Sequence, residues 1–169
     1  MKKLIVFVIV LCVSTSVWAQ EELPVEQWYQ FWVGNWDLTW QDAGGGTGKG
    51  TNQIVRILDG KVIQENFKAL EGALAGYSGM SLSVYNPTAK QWKQAWTDSQ
   101  GGYFDFTGRK DEDRFYFETA ETDNGQGGVQ QRMVFYEITE EAFTWDWEST
   151  QDGGATWTLN WRIQYRRQQ

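Results

Sequence analysis

From residue 36 to residue 166 the chain repeats one pattern: a short run of alternating apolar and polar side chains, then a turn signal. Trp36, Leu38 and Trp40 alternate with Asp37, Thr39 and Gln41, and comparable runs follow at 51–58, 61–69, 80–85, 91–96, 103–108, 114–118, 131–138, 142–149 and 156–166. Asp59-Gly60, Asn86-Pro87, Gly101-Gly102 and the polar runs at 110–113 and 139–141 separate them. Alternation places residues i and i+2 on one face, which is the mark of a half-buried strand. Asp-Gly between two such runs is a two-residue hairpin signal. No later segment is long enough for a crossover helix, so neighbouring strands must run antiparallel. The expectation is an all-β fold of about ten strands, closed as a single antiparallel up-and-down barrel because closure leaves no edge unpaired. A sandwich is the alternative. The sequence repeat that a propeller or solenoid needs is missing.

Ahead of the first strand, Leu23 to Trp32 has an early proline, an acid in its first turn and apolar residues at 25, 28, 31 and 32. That spacing predicts a short helix, stopped by Gly34 and placed to plug one end of the barrel. Asp42 to Gly50 reads as a flexible glycine-rich loop. Its Gly-Thr-Gly-Lys-Gly lacks the spacing of a phosphate loop, and no helix follows it. Segment 70–79, small and Gly/Ala-rich, reads as a loop or a helical turn lying over one end, and 122–128 as a second loose loop.

Residues 1–19 have a basic start (Lys2, Lys3), an apolar run from Leu4 to Val13 and a small-residue site ending at Ala19. This is the pattern of a secretory signal peptide cleaved before Gln20, leaving 20–169 as one barrel domain. The expected location is therefore exported, periplasmic or extracellular, with no membrane insertion after cleavage. The leader carries the chain's single cysteine, Cys12, so the mature protein would rely on its core rather than on disulfides. Losing Lys2 and Lys3 leaves 13 basic against 22 acidic residues, a change in net charge from −7 to −9. Such an acidic surface opposes nucleic acid.

Chemistry is bounded first by what is missing. The chain has no histidine. With Cys12 removed it also has no thiol, so Ser-His-Asp and Cys-His catalysis, His or thiolate zinc sites and His-ligated haem are excluded; neither a metal site nor a cofactor is expected. Carboxylate chemistry survives: Asp146 and Glu148 lie on one strand, with Asp105 and Glu118 in similar patterns, and two carboxylates facing a cavity can hydrolyse glycosides. Alternation with Phe143, Trp145 and Trp147 assigns Asp146 and Glu148 instead to the outer face.

Eleven Trp, nine Phe and seven Tyr make the chain unusually aromatic. The pairs Trp92/Trp96, Trp145/Trp147 and Trp157/Trp161 each stand on one face of a strand, as core or as the wall of a ligand cavity. Candidate ligand-binding residues are Trp92 and Trp96, with Gln64, Asn66, Gln94, Arg132 and Asn160 as polar groups that would orient a ligand if they point inward.

Phe31-x-x-Gly34-x-Trp36 at the start and Trp161-x-Ile163-x-Tyr165-x-Arg167 at the end are similar to the termini of secreted bacterial lipocalin-like families of unknown function. Gly34-Asn35-Trp36 resembles the G-x-W start of the lipocalins and their wider barrel superfamily, and Thr97-Asp98 matches part of a Thr-Asp-Tyr element, with Ser99 replacing the Tyr. The resemblance implies that Trp36 lies across the closed end with an arginine of the last strand packed over it. Of Arg162, Arg166 and Arg167, the expectation settles on Arg166 or Arg162. Haem-binding relatives use an axial His, which this chain lacks. Thr150-Gln151-Asp152-Gly153-Gly154-Ala155-Thr156-Trp157 matches the Asp-box of sialidase propellers. Occurring once in so short a chain, it is read as a structural hairpin in which Asp152 binds turn amides and Trp157 packs beneath.

The expected function is non-covalent binding of a small apolar or aromatic molecule. The alternatives are a carboxylate enzyme (glycoside hydrolase, isomerase or hydratase) and a ligand-free structural module of the cell envelope.

Overall fold

A computed structural model describes residues 23–123, 125 and 127–169; the expected leader, with Cys12, lies outside the described residues. Among the described residues eleven strands form: β1 (Gly34–Gln41), β2 (Thr47–Ile57), β3 (Val62–Glu71), β4 (Ser78–Asn86), β5 (Gln91–Asp98), β6 (Tyr103–Asp111), β7 (Arg114–Thr119), β8 (Thr122–Asp123), β9 (Gly128–Tyr136), β10 (Ala142–Thr150) and β11 (Thr158–Arg167). Among the described residues all pairings are antiparallel and join sequence neighbours, except that β7 pairs with β9, the two-residue β8 pairing only with β9, and that β11 returns to β1. Pairing of β11 with β1, in the register Trp36↔Arg167 to Trp40↔Ile163, closes ten strands into a barrel.

The alternating runs supply the wall as expected. Asp59 (φ 55°) and Gly60 (φ 76°) both take the left-handed conformation of a tight hairpin, and Lys61 N–H donates to Leu58 O across it. The loop read at Asp42 to Gly50 is shorter than expected, because β2 already begins at Thr47. Gly48 and Gly50 belong to the strand and face inward. A Cβ at Gly48 would collide with the Trp40 indole, and one at Gly50 with the backbone at Lys68. Glycine marks the space taken by a neighbouring ring here, not a flexible segment.

The N-terminal helical segment is two single 3₁₀ turns, Val25–Gln27 and Gln30–Trp32. It plugs the barrel with side chains rather than with a helical face. Tyr29 is fully buried, stacks on Phe117 with ring centroids 4.3 Å apart, and donates its hydroxyl to Tyr116 O at 2.5 Å. From the wall, Trp92 Nε1 donates to Val25 O at 2.6 Å. Trp36 donates to Trp32 O at 2.8 Å and meets Phe143 edge to face.

Arginine does pack over Trp36, but it is Arg167, not Arg162 or Arg166. Its guanidinium lies 4.2 Å from the ring centroid and donates to Val33 O and Glu140 O. The reason is parity. Trp161, Ile163, Tyr165 and Arg167 share one face of β11, whereas Arg162 and Arg166 point outward and are exposed.

Candidate functional site

The barrel interior has three levels. At the plugged end, Tyr29, Trp32, Trp36, Trp92, Phe117 and Phe135 are almost entirely buried and packed ring against ring. At mid-depth, alternation on β2, β3, β4, β5 and β11 turns Asn52, Glu65, Ser81, Ser83, Gln94 and Tyr165 inward, and all six are buried. Toward the other end the wall is aromatic again, but Tyr77, Trp96, Phe104, Trp145, Trp147 and Trp161 are only half-buried.

Between the middle level and that open end lies a cavity of about 130 Å³. Its deeper wall includes Glu65, Phe106, Met133, Ile163 and Tyr165, and its mouth is formed by the six half-buried rings. Trp145 and Trp147 are nearly parallel, whereas Trp161 stands at 89° to Trp145 and 90° to Trp40, so the wall presents both faces and edges. The mouth rings are held from outside. Asp98 accepts from the backbone N–H groups of Gln100 and Gly102 and from the Tyr77 hydroxyl. Burial raises the Asp98 pKa, but these bonds together with one from Trp96 outweigh it and hold the carboxyl below its ordinary value. Tyr77 is pushed up to about 12, first by burial and then by its bond to Asp98.

Glu65 is the one ionisable carboxyl among the residues lining the cavity. Asn52 Nδ2 donates to Oε1 at 2.6 Å and Ser81 Oγ to Oε2 at 2.7 Å. Burial dominates over these two bonds and raises its pKa to about 7. Asn52 also donates to the Tyr165 hydroxyl, whose pKa is driven well above its ordinary value by burial and then by the charge of Glu65. Among the described residues, Asn52 Oδ1, Gln94 Oε1 and the indole Nε1 of Trp161 and Trp32 are buried without a hydrogen-bond partner. Two of these, Asn52 and Trp161, belong to or adjoin the cavity wall. Unpaired buried polar atoms are rare in folded proteins, and their presence beside a cavity suits a guest that supplies the missing partners.

The candidates from the sequence separate cleanly. Trp96 lines the cavity, and Gln94 points inward at mid-depth, where its Nε2 donates to Ser83. Trp92 is inward but committed to the plug. Gln64, Asn66, Arg132 and Asn160 lie on the outer wall and do not reach the cavity, because Ile63, Phe67, Met133 and Trp161 claim the inner face of the same strands. Gln64 bonds Asn66 and Asn160 bonds Ser149. Arg132 pairs with Glu148 at 2.7 Å and lies 3.6 Å from the Trp157 ring centroid.

Asp146 and Glu148 also point outward. Asp146 accepts both Nε and Nη2 of Arg162 at 2.7 Å, and Tyr136 donates to it as well. The pair shares no cavity, so the glycosidase arrangement does not form. Asp152 behaves as a turn organiser: it accepts from Thr156 N–H, Thr156 Oγ1 and Thr150 Oγ1, which lower its pKa to about 2. Trp157 closes the same hairpin by donating to Gly154 O.

The residue that sequence reading missed is Glu65. The signal was present: Glu65 is in phase with Ile63, Phe67 and Ala69, all buried, so period two turned an acid into the barrel. Among the described residues, no group of three or more acidic, His or Cys side chains is arranged to hold a metal ion, and no helix is long and apolar enough to cross a membrane.

No protein-family model matches the chain. No curated protein matches it either. Among solved structures it is similar to a redesigned β-barrel at 11% sequence identity and a TM-score of 0.43, over 83% of this chain and 94% of that one.

Proposed function

We propose that this chain is an exported, lipocalin-like binding protein that holds one small ring-shaped or compact apolar molecule in the open-end cavity. The observation that carries the reading is the cavity itself. The plugged half of the barrel is packed solid by aromatic rings, whereas the other half leaves about 130 Å³ among equally large side chains. That volume is close to the roughly 150 Å³ of an engineered apolar cavity that takes up benzene. The orphan polar atoms at its wall give a guest orientation as well as contact area. Ten strands are two more than the eight of lipocalin barrels, so the likeness that supports this reading is that of a closed antiparallel barrel. Export rests on the leader pattern at 1–19.

Tryptophan fluorescence is the natural test, because Trp96, Trp145, Trp147 and Trp161 surround the site. Titration with toluene and with phenol should shift and quench the emission saturably, and replacing Trp145 by Leu should weaken both. Emission unmoved by either guest would overturn the reading. Sequencing of the secreted or periplasmic protein should begin at Gln20, and an intact Met1 would remove the export part alone.

A further inference from the structure

The cavity combines two features that apolar binding does not require: a buried carboxyl on its wall and aromatic rings on the remaining sides. Residues facing Glu65 come from every neighbouring element: Asn52 from β2, Ser81 from β4, Tyr165 from β11, and Tyr77 from the segment before β4. None carries a positive charge, and among the described residues no Lys or Arg lines the cavity. Asn52 and Ser81 nevertheless each aim a donor at one carboxylate oxygen, the arrangement that suits the ionised form. A carboxylate with its hydrogen bonds in place and no counter-charge is half of an ion pair.

The aromatic rings suit the other half. A compact cation gains from the faces of Trp, Tyr and Phe, Trp most of all, and cages of this kind recognise alkylated ammonium groups. An anion would face repulsion from Glu65 with no cation to offset it, which disfavours fatty acids and other carboxylates. The volume admits a head group of a few heavy atoms, not a lipid chain. The chain's net charge of −7 draws cations toward it.

We propose that the open-end cavity binds a small organic cation of the alkylammonium class, its charge seated among the Trp rings and paired with the Glu65 carboxylate. This rests on the reading of the cavity as a binding site and names the chemistry of its guest. Because burial holds the empty Glu65 near neutrality, a permanent cation binds the ionised form and competes with a proton.

Calorimetry on the full mature chain separates the possibilities, using choline, its uncharged carbon isostere 3,3-dimethylbutan-1-ol, and toluene. At about pH 8 choline should bind about tenfold tighter than the alcohol, and Glu65→Gln should reduce that preference to about twofold or less. In the wild-type protein, independently of any variant, choline affinity should fall about tenfold or more between about pH 8 and pH 5 while that of the alcohol stays level. Equal binding of choline and the alcohol, or a preference that survives Glu65→Gln, would overturn the proposal. Toluene binding without choline binding overturns the cation and leaves the cavity reading standing; binding of none of the three removes both.

Discussion

The two ends of the barrel are built from the same residue types and come out differently. At the plugged end Tyr29, Trp32, Trp36, Phe117, Phe135 and Phe143 interlock, and the segment of two 3₁₀ turns delivers Tyr29 and Trp32 into the bore. At the open end Trp96, Trp145, Trp147 and Trp161 line a cavity that no described segment fills. Aromatic content alone therefore does not decide between a core and a site. A strand barrel of this girth encloses more space than its own side chains fill. Packing becomes solid only where the chain folds back inside.

The largest break of that comparison is at the closed end. Trp36→Ala removes a fully buried ring, its bond to Trp32 O and the surface beneath Arg167, and should destabilise by ~3–5 kcal/mol in urea unfolding. An equally stable variant would mean that the plugged end is not the stabilising half.

Next comes the boundary between the halves. Glu65 is protonated in both folded and unfolded chains below its ordinary value of 4.5, and the folded form holds its proton up to about pH 7. Stability should thus be fully present at low pH and decline by ~3 kcal/mol as pH rises between those values, with the decline absent in Glu65→Gln. Denaturant midpoints measured across that range would show it. A flat profile would place the carboxyl in contact with water.

At the rim, Gly48→Ala must push the Trp40 indole aside and should lose ~1–3 kcal/mol by thermal unfolding. Smallest is Trp161→Phe at the mouth, which keeps a ring but removes a buried N–H with no partner. Stability should change by less than ~1 kcal/mol, while toluene affinity changes more. A loss as large as that of Trp36→Ala would make the two ends equivalent.

Much of this architecture is legible from period two and turn chemistry. The strand runs, the Asp59-Gly60 hairpin and the outward faces of Asp146 and Glu148 all follow from them. The same parity rule also assigns Arg167, Glu65 and the outer-wall residues Gln64, Asn66, Arg132 and Asn160. Applying it there requires the inward face of each strand to be anchored first, by Ile63 and Phe67 on β3, Met133 on β9 and Ile163 on β11. Gly48 and Gly50 are illegible for another reason. A glycine that makes room for the ring of its cross-strand partner looks in sequence like a glycine in a loop, because the Trp40 ring that needs the room at Gly48 comes from a different strand. The hollow of the cavity is less legible still, since it depends on how many strands close and on which end the N-terminal segment enters.

The central claim is that the open half of the barrel is a hollow that accepts a guest while the plugged half is not. Crystals soaked with toluene and measured by X-ray diffraction test it most directly. The account predicts one toluene above Glu65, in contact with Trp96, Trp145 and Trp161, and none among Tyr29, Trp36 and Phe117. Rings at the open end collapsed onto one another with no guest between them, or a guest lodged at the plugged end, would contradict it.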